Sequence, residues 1–191
     1  MGKRAELKAA SRGKILDAAA RRLRNEGLGS TGIGPVMKDA GLTHGTFYAH
    51  FDSKEALAEA AFEHAIDTNQ PPWLAHRDEP WPERFRHLAE TYLSARHRDD
   101  RGGGCAIAAL ASEVNQAPEA FRERYGNTVE ETFRKIAEDD PAQLDDAIVL
   151  MAMCTGGINL ARNVNDAELS DRILDRCLDA LCSLNGSHKT R

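Results

Sequence analysis

Cysteine is scarce in this sequence and follows no pairing pattern. Cys105, Cys154, Cys177 and Cys182 are spread through the C-terminal half without a CxxC pair. That excludes a disulfide framework or zinc ribbon and suits a reduced, cytoplasmic chain. No uninterrupted run of eighteen apolar residues occurs, so no membrane partner is expected. The start, MGKRAELKAASRGK, lacks the apolar core of a signal peptide. Alternating β-type stretches are absent, and so are the GxSxG, HExxH, GxGxxG and Walker patterns. An enzyme with a familiar catalytic motif is therefore not expected; no catalytic residue, cofactor or metal ligand is assigned. His64, His76, His87 and His97 are scattered and read as surface or satisfied core residues.

Positive charge is also in short supply overall, and its distribution is uneven. The net charge is −5, which excludes a uniformly basic nucleic-acid binder. Residues 1–54 nevertheless hold ten Lys/Arg against five Asp/Glu, and the remainder fifteen against twenty-five. A basic first third on an acidic body is what a chain with one polyanion-binding end shows; a solvated Arg cluster on one helix gives the same count.

What is present is helical spacing. Ile15, Ala18, Ala19 and Leu23 share one face, as do Phe85, Leu88, Ala89, Tyr92 and Leu93. Phe121, Tyr125, Val129, Phe133 and Ile136 repeat the pattern; Leu144, Ile148, Met151, Thr155 and Ile158 run at near-heptad spacing; Ile173, Cys177, Leu178, Leu181 and Leu184 close the chain. The fold class is all-α, with about nine helices. The first is expected near 12–26, stopped by Gly27, and the second between Gly32 and Ala40, stopped by Gly41. Thr43 can cap a short third helix, and Asp52 or Ser53 a fourth that ends at Pro71-Pro72. Pro82, Pro118 and Pro141 suit first helical turns, and Asn165 with Glu168 has cap spacing before the last helix. A frayed tail is expected after Leu184.

Residues 28–54 carry the functional signal. Two short helices flank a turn at Gly41-Leu42-Thr43, the pattern of a helix-turn-helix whose second helix fits the major groove. Gly45, Thr46 and Ala49 are small and allow close backbone approach to DNA. Thr43, His44 and Thr46 can bond base edges or phosphates, and Tyr48 and His50 can reach phosphates. Lys54 stands where free helix N–H groups add to the attraction for a phosphate. Phe47 and Phe51 are the expected anchors beneath. Arg4, Lys8 and Arg12 form either a basic arm for the minor groove or an untethered segment.

With these residues in view, 12–63 resembles the DNA-binding domain of the TetR family of bacterial regulators. The matching words are KILDAA (14–19), Thr31 and GLTHGTFYAHFDSKEAL (41–57). GCAIAALASEV (104–114) is similar to a segment of one branch of that family. The resemblance implies a helix-turn-helix domain over 8–54 and a ligand-binding and dimerisation domain over 55–186. It implies a homodimer formed through helices near 142–163 and 166–184. It also implies a roughly palindromic double-stranded DNA operator and release by a small-molecule effector, hence a repressor. Carried over by position, Thr31, Thr43, His44, Gly45, Thr46, Tyr48, His50 and Lys54 contact DNA. This chain departs from the usual pattern at His44, where many members have Lys, and at Gly34-Pro35, where helix formers are common. Helix 2 then starts either with Thr31 as its cap or at Gly34. Candidate effector-site residues are Phe62, Ile66, Phe85, Tyr92, Cys105, Phe121, Tyr125 and Met151, all of which also suit an ordinary core. Cys105 begins an Ala-rich helix after Gly102–Gly104, so a thiol sensor of electrophiles or oxidants is an alternative to a small buried cysteine. A protein-interaction module and a helical enzyme are the remaining alternatives.

Overall fold

The computed structural model describes residues 2–68, 76 and 78–187. Ten α-helices lie within them: α1 Lys3–Glu26, α2 Ile33–Asp39, α3 His44–Phe47, α4 Lys54–Thr68, α5 Trp81–Tyr92, α6 Ala95–Asp99, α7 Ala106–Leu110, α8 Glu119–Ala137, α9 Pro141–Asn163 and α10 Ala167–Ser187. The expected stop at Pro71-Pro72 falls outside the described residues. The chain forms two compact units, 1–69 with 102–122, and 70–101 with 123–191.

In the first unit α1 begins nine residues earlier than expected. Arg4, Lys8 and Arg12 are therefore successive i, i+4 positions on a helix rather than a loose arm. The predicted face is the buried one: Ile15, Ala19 and Leu23 are fully enclosed, and the helix packs on α2, α4 and α7. Gly27 stops α1 with φ +83, and a Cβ there would collide with the Glu113 carboxylate, which accepts a hydrogen bond from Leu28 N–H at 2.9 Å. α2 lies between Gly32 and Ala40 as its spacing predicts, and neither the Thr31 cap nor the start at Gly34 is the one used. Gly32 occupies the cap, its carbonyl accepts from Val36 N–H, and Pro35 becomes the third helical residue. The N–H that proline lacks is one that no helix satisfies at that position, so Pro35 removes no bond. Ser53, not Asp52, caps α4, accepting from Ala56 N–H at 3.0 Å.

The second unit is built on α5, α9 and α10. Phe85, Leu88, Ala89, Tyr92 and Leu93 are all buried, as their spacing predicts. Pro82 and Pro141 sit in the first turns of α5 and α9. Asp166, rather than Asn165, caps α10, bonding Leu169 N–H at 2.8 Å, and the helix continues through the expected tail to Ser187. The near-heptad register on α9 shifts by one residue. Ala147, Leu150, Cys154, Gly157 and Ala161 are the buried seam, together with Met151 and Ile158, while Ile148 points outward. Arg84 is the unexpected core residue. It is 6% exposed, donates to Ile136 O at 2.6 Å at the end of α8, and pairs with Glu138. A cation at a helix C-terminus is favoured by its free carbonyls.

The absence of an uninterrupted apolar run holds for α9, although its average composition is apolar. Pro141–Asn163 is long and apolar enough to cross a membrane by length and composition, with a mean hydropathy of 1.4 over its best window, of which 39% is buried. Small residues such as Thr155, Gly156 and Gly157 interrupt the apolar run without lowering the average much. Ile148, Val149 and Leu160 are large apolar side chains left exposed on this helix; on α10 so are Leu169 and Leu184.

Candidate nucleic-acid interface

The turn between α2 and α3 is built by Gly41. With φ +66 it places its own N–H on Lys38 O and Leu42 N–H on Met37 O, at 3.1 and 2.9 Å. This paired termination needs a left-handed residue just past the helix, which glycine supplies without strain. The chain reverses there and enters α3 at Thr43. The Thr43 hydroxyl lies 2.9 Å from that of Thr46, so the two threonines form a small polar pair on the exposed side.

Beneath α3, Val36, Met37 and Phe47 are fully enclosed, and Phe51 packs on Phe47 with ring centroids 5.7 Å apart. Burying one such phenyl group stabilises by about 1.5–3 kcal/mol. The two phenylalanines thus hold α3 in place, as the sequence predicts. Tyr48 stands edge-on against Phe47 at 5.2 Å and is nevertheless 62% exposed. Thr43, His44, Gly45, Tyr48 and Lys54 are exposed, and Thr46 is half-buried beside them. Six of the eight predicted contact residues therefore lie on the outer side of one helix-turn-helix and its flank.

Thr31 and His50 do not join them. Thr31 is completely buried, and its hydroxyl donates to Leu28 O at 3.0 Å, so it fixes the turn leading into α2. Ser11 Oγ donates its only proton to Lys8 O, so His50 Nε2, 2.9 Å away, must donate to Ser11. Its Nδ1 is buried without a partner. His50 therefore braces α3 against α1 as a neutral ring instead of offering a cation to phosphate. Burial, with Lys8 and Arg12 nearby, holds its pKa below the ordinary 6.5. His97, whose ring nitrogen bonds Tyr92 O at 2.7 Å, is also held low, chiefly by burial. Below pH 6.5 the unfolded chain binds protons that folded His50 and His97 refuse, so the folded state loses stability on acidification. Denaturation followed from pH 7.5 to 5 should show the midpoint falling below about pH 6.5. A flat profile would contradict the burial of both rings.

Lys8 and Arg12 flank this surface from α1, with the Arg12 guanidinium 5.2 Å from the Phe51 ring centroid. Sequence reasoning placed these cations in an arm; the helix places them beside the end of α3.

The candidate effector residues divide between the two units. Phe62, Ile66, Cys105 and Phe121 are in the first, where Phe62 and Phe121 pack at 5.5 Å. Phe85, Tyr92, Tyr125 and Met151 are in the second, all buried except half-buried Tyr125. A cleft of about 330 Å³ in the first unit is lined by Leu28, Lys54, Glu55, Glu113 and Phe121 among others; of the eight candidates only Phe121 borders it. Cys105 is half-buried and leads a helix of only five residues, and none of the four cysteines is in a disulfide. So short a helix presents a weak dipole, and the thiol-sensor alternative loses its geometric basis.

Comparison with known proteins agrees with this geometry. Residues 15–61 match the family described as bacterial regulatory proteins, tetR family. A Bacillus subtilis (strain 168) protein, the uncharacterized HTH-type transcriptional regulator YvdT, is 38% identical over 92 residues. That match spans 45% of this chain and 46% of the relative, about half of each. Among solved structures, a TetR-family regulator from Cytophaga hutchinsonii has a TM-score of 0.76 at 20% identity, covering 96% of both chains. One from Chloroflexus aurantiacus J-10-FL also scores 0.76, at 22% identity, covering 93% of this chain and 95% of that one. These last two likenesses are of fold. An exposed short helix on a buried aromatic anchor, a family match confined to residues 15–61 and a fold shared over nearly the whole length make the chain similar to the TetR family of helix-turn-helix transcriptional regulators.

Proposed function

We propose that this regulator is a repressor that binds a roughly palindromic operator as a homodimer and is released by a small-molecule effector. The observation that carries the DNA-binding half is the exposed set Thr43, His44, Gly45 and Tyr48 on α3 and its two caps, with Lys54 at the first residue of α4. Groove-facing side chains on α3 read bases, and Lys54 neutralises a phosphate at a helix N-terminus. Dimerisation through α9 and α10 accounts for the apolar residues that both helices leave exposed. It sets two recognition helices one DNA turn apart, about 34–36 Å, which is why the operator is expected to be palindromic. An effector acts by binding one head spacing better than another. Division at residue 54 into a reading head and a sensing body, and residence in the cytoplasm, complete this reading.

The test is fluorescence anisotropy on the intergenic DNA beside the protein's own gene, titrated with salt against random DNA. Site-selective binding with a steep salt slope is expected. Lys54→Gln should weaken binding to all sequences alike and flatten the slope of log K against log salt by about one per protomer. Equal binding to operator and random DNA, or a slope untouched by Lys54→Gln, would refute the assigned contacts.

A further inference from the structure

His76, Glu79 and His87 are far enough apart in the sequence to look unrelated, yet they meet in the second unit. His76 and Glu79 precede α5, and His87 is on its second turn. The two imidazole rings stack in parallel, with centroids 4.1 Å apart and an interplanar angle of 4°. Both turn a nitrogen toward the same carboxylate. His76 Nδ1 is 2.8 Å from Glu79 Oε1, and His87 Nε2 is 3.3 Å from Glu79 Oε2. All three residues are half-buried, and one donor atom from each lies within 4.8 Å of the others.

We propose that His76, Glu79 and His87 form a binding site for a divalent transition-metal ion of the zinc type. Two imidazoles and a carboxylate are the donor set that such ions favour, and three protein ligands with one open position make a recognised site. The spacing fits. Metal–ligand bonds of about 2.0–2.1 Å in a tetrahedron put neighbouring donor atoms about 3.3 Å apart. The His87 Nε2–Glu79 Oε2 separation already equals that edge, while the 2.8 Å contact of His76 is to the other oxygen, Oε1, so the His76 ring has to move toward Oε2 to share the ion. Glu79 Oε2 is itself buried without a hydrogen bond, an orphaned acceptor facing an imidazole nitrogen. A cation between them would satisfy it. A candidate outer-shell carboxylate stands nearby. Glu90 Oε2 lies 3.7 Å from His87 Nδ1, on the far side of the ring from the donor nitrogen. That is an ion-pair separation rather than a hydrogen bond; closing to hydrogen-bond length on metal binding would orient the ring and raise its basicity. A cluster held only by proton sharing between His76 and Glu79 accounts for the 2.8 Å contact. It leaves Glu79 Oε2 without a hydrogen bond; because lone pairs lie in the ring planes, two parallel rings cannot both meet one ion, so metal binding turns one imidazole out of the stack.

A metal here would tie the segment before α5 to the helix itself. α5 packs on α9 and α10, so the ion would stiffen the second unit. The fourth position remains for water or an added ligand.

The experiment uses the untagged full-length protein, stripped with chelator and titrated with Co²⁺ and then Zn²⁺. One Co²⁺ per chain is expected, with the intense visible bands of a four-coordinate ion and no near-ultraviolet thiolate charge-transfer band. Zn²⁺ should displace it and raise the thermal midpoint, since it binds the folded chain preferentially. His87→Gln and His76→Ala should each weaken Co²⁺ binding by about 100-fold or more, and Glu90→Gln by about 10–100-fold. Cys182→Ser should leave it unchanged. Circular dichroism of the stripped variants establishes that each is folded. Absence of the visible bands in the wild-type protein, a thiolate band, or affinity indifferent to both histidine substitutions would overturn the proposal.

Discussion

Gly45→Leu is expected to abolish operator binding while leaving the protein folded. A Cβ added at Gly45 meets nothing within 4 Å, and its φ does not lie in the left-handed region. Replacing a helical glycine with leucine restores up to about 1 kcal/mol of helix propensity, so the thermal midpoint should hold or rise. The leucine side chain would, however, project from the exposed side of α3, where the backbone must approach the floor of the groove. A recognition helix lifted by a few ångströms loses its base contacts together, because hydrogen bonds fail steeply with distance. Affinity should therefore fall toward the non-specific level, by about 1,000-fold or more. Anisotropy on operator and random DNA, beside a melting curve, measures both halves of the expectation. Unchanged operator affinity in a folded Gly45→Leu protein would mean that α3 is not the element in the groove.

Leu160→Glu is expected to produce a folded monomer. Leu160 is 61% exposed on α9 and lies away from the seam of Ala147, Leu150, Cys154, Gly157 and Ala161. Surface substitutions of this kind usually change stability by no more than about 0.5 kcal/mol. Within a dimer interface the same carboxylate would be stripped of water with no partner, at a cost of several kcal/mol, and each copy would carry it. Sedimentation at micromolar concentration should show one chain where the parent shows two. Operator affinity should drop by about 100- to 10,000-fold, because the second head no longer binds at the effective concentration set by the first. A Leu160→Glu protein that still sediments as a dimer would place the interface elsewhere.

The two expected effects differ in how early they could be foreseen. The helix-turn-helix is a local object. Its stop at Gly41, its small recognition helix and its two phenylalanines are neighbours in the chain, so their spacing alone located them. Phe47, Phe51, Ile15 and Leu23 are all buried where periodicity put them. The errors occurred where a residue's role depends on something distant. His50 looked like a phosphate ligand until Ser11, on another helix, took its only proton. Thr31 looked like a contact until the fold closed over it. On α9, apolar residues occur on more than one face, so spacing alone does not distinguish the seam that packs inward. The observed seam has small residues at Ala147, Cys154, Gly157 and Ala161, and a Cβ on Gly157 would press against Leu93 and Cys177 at 3.0–3.1 Å.

From local rules alone, then, the all-α class, the position of the helix-turn-helix, its charge and its main exposed residues follow. Helical periodicity, glycine stops and capping act over a few residues and need no partner. Tertiary packing decided the rest. It joined 102–122 to the first unit, where Glu113 holds the turn after α1. It buried Arg84 on the end of α8 and turned His76 and His87 onto one carboxylate. Such arrangements depend on where separate helices cross, and short-range spacing along the chain carries no record of those crossings.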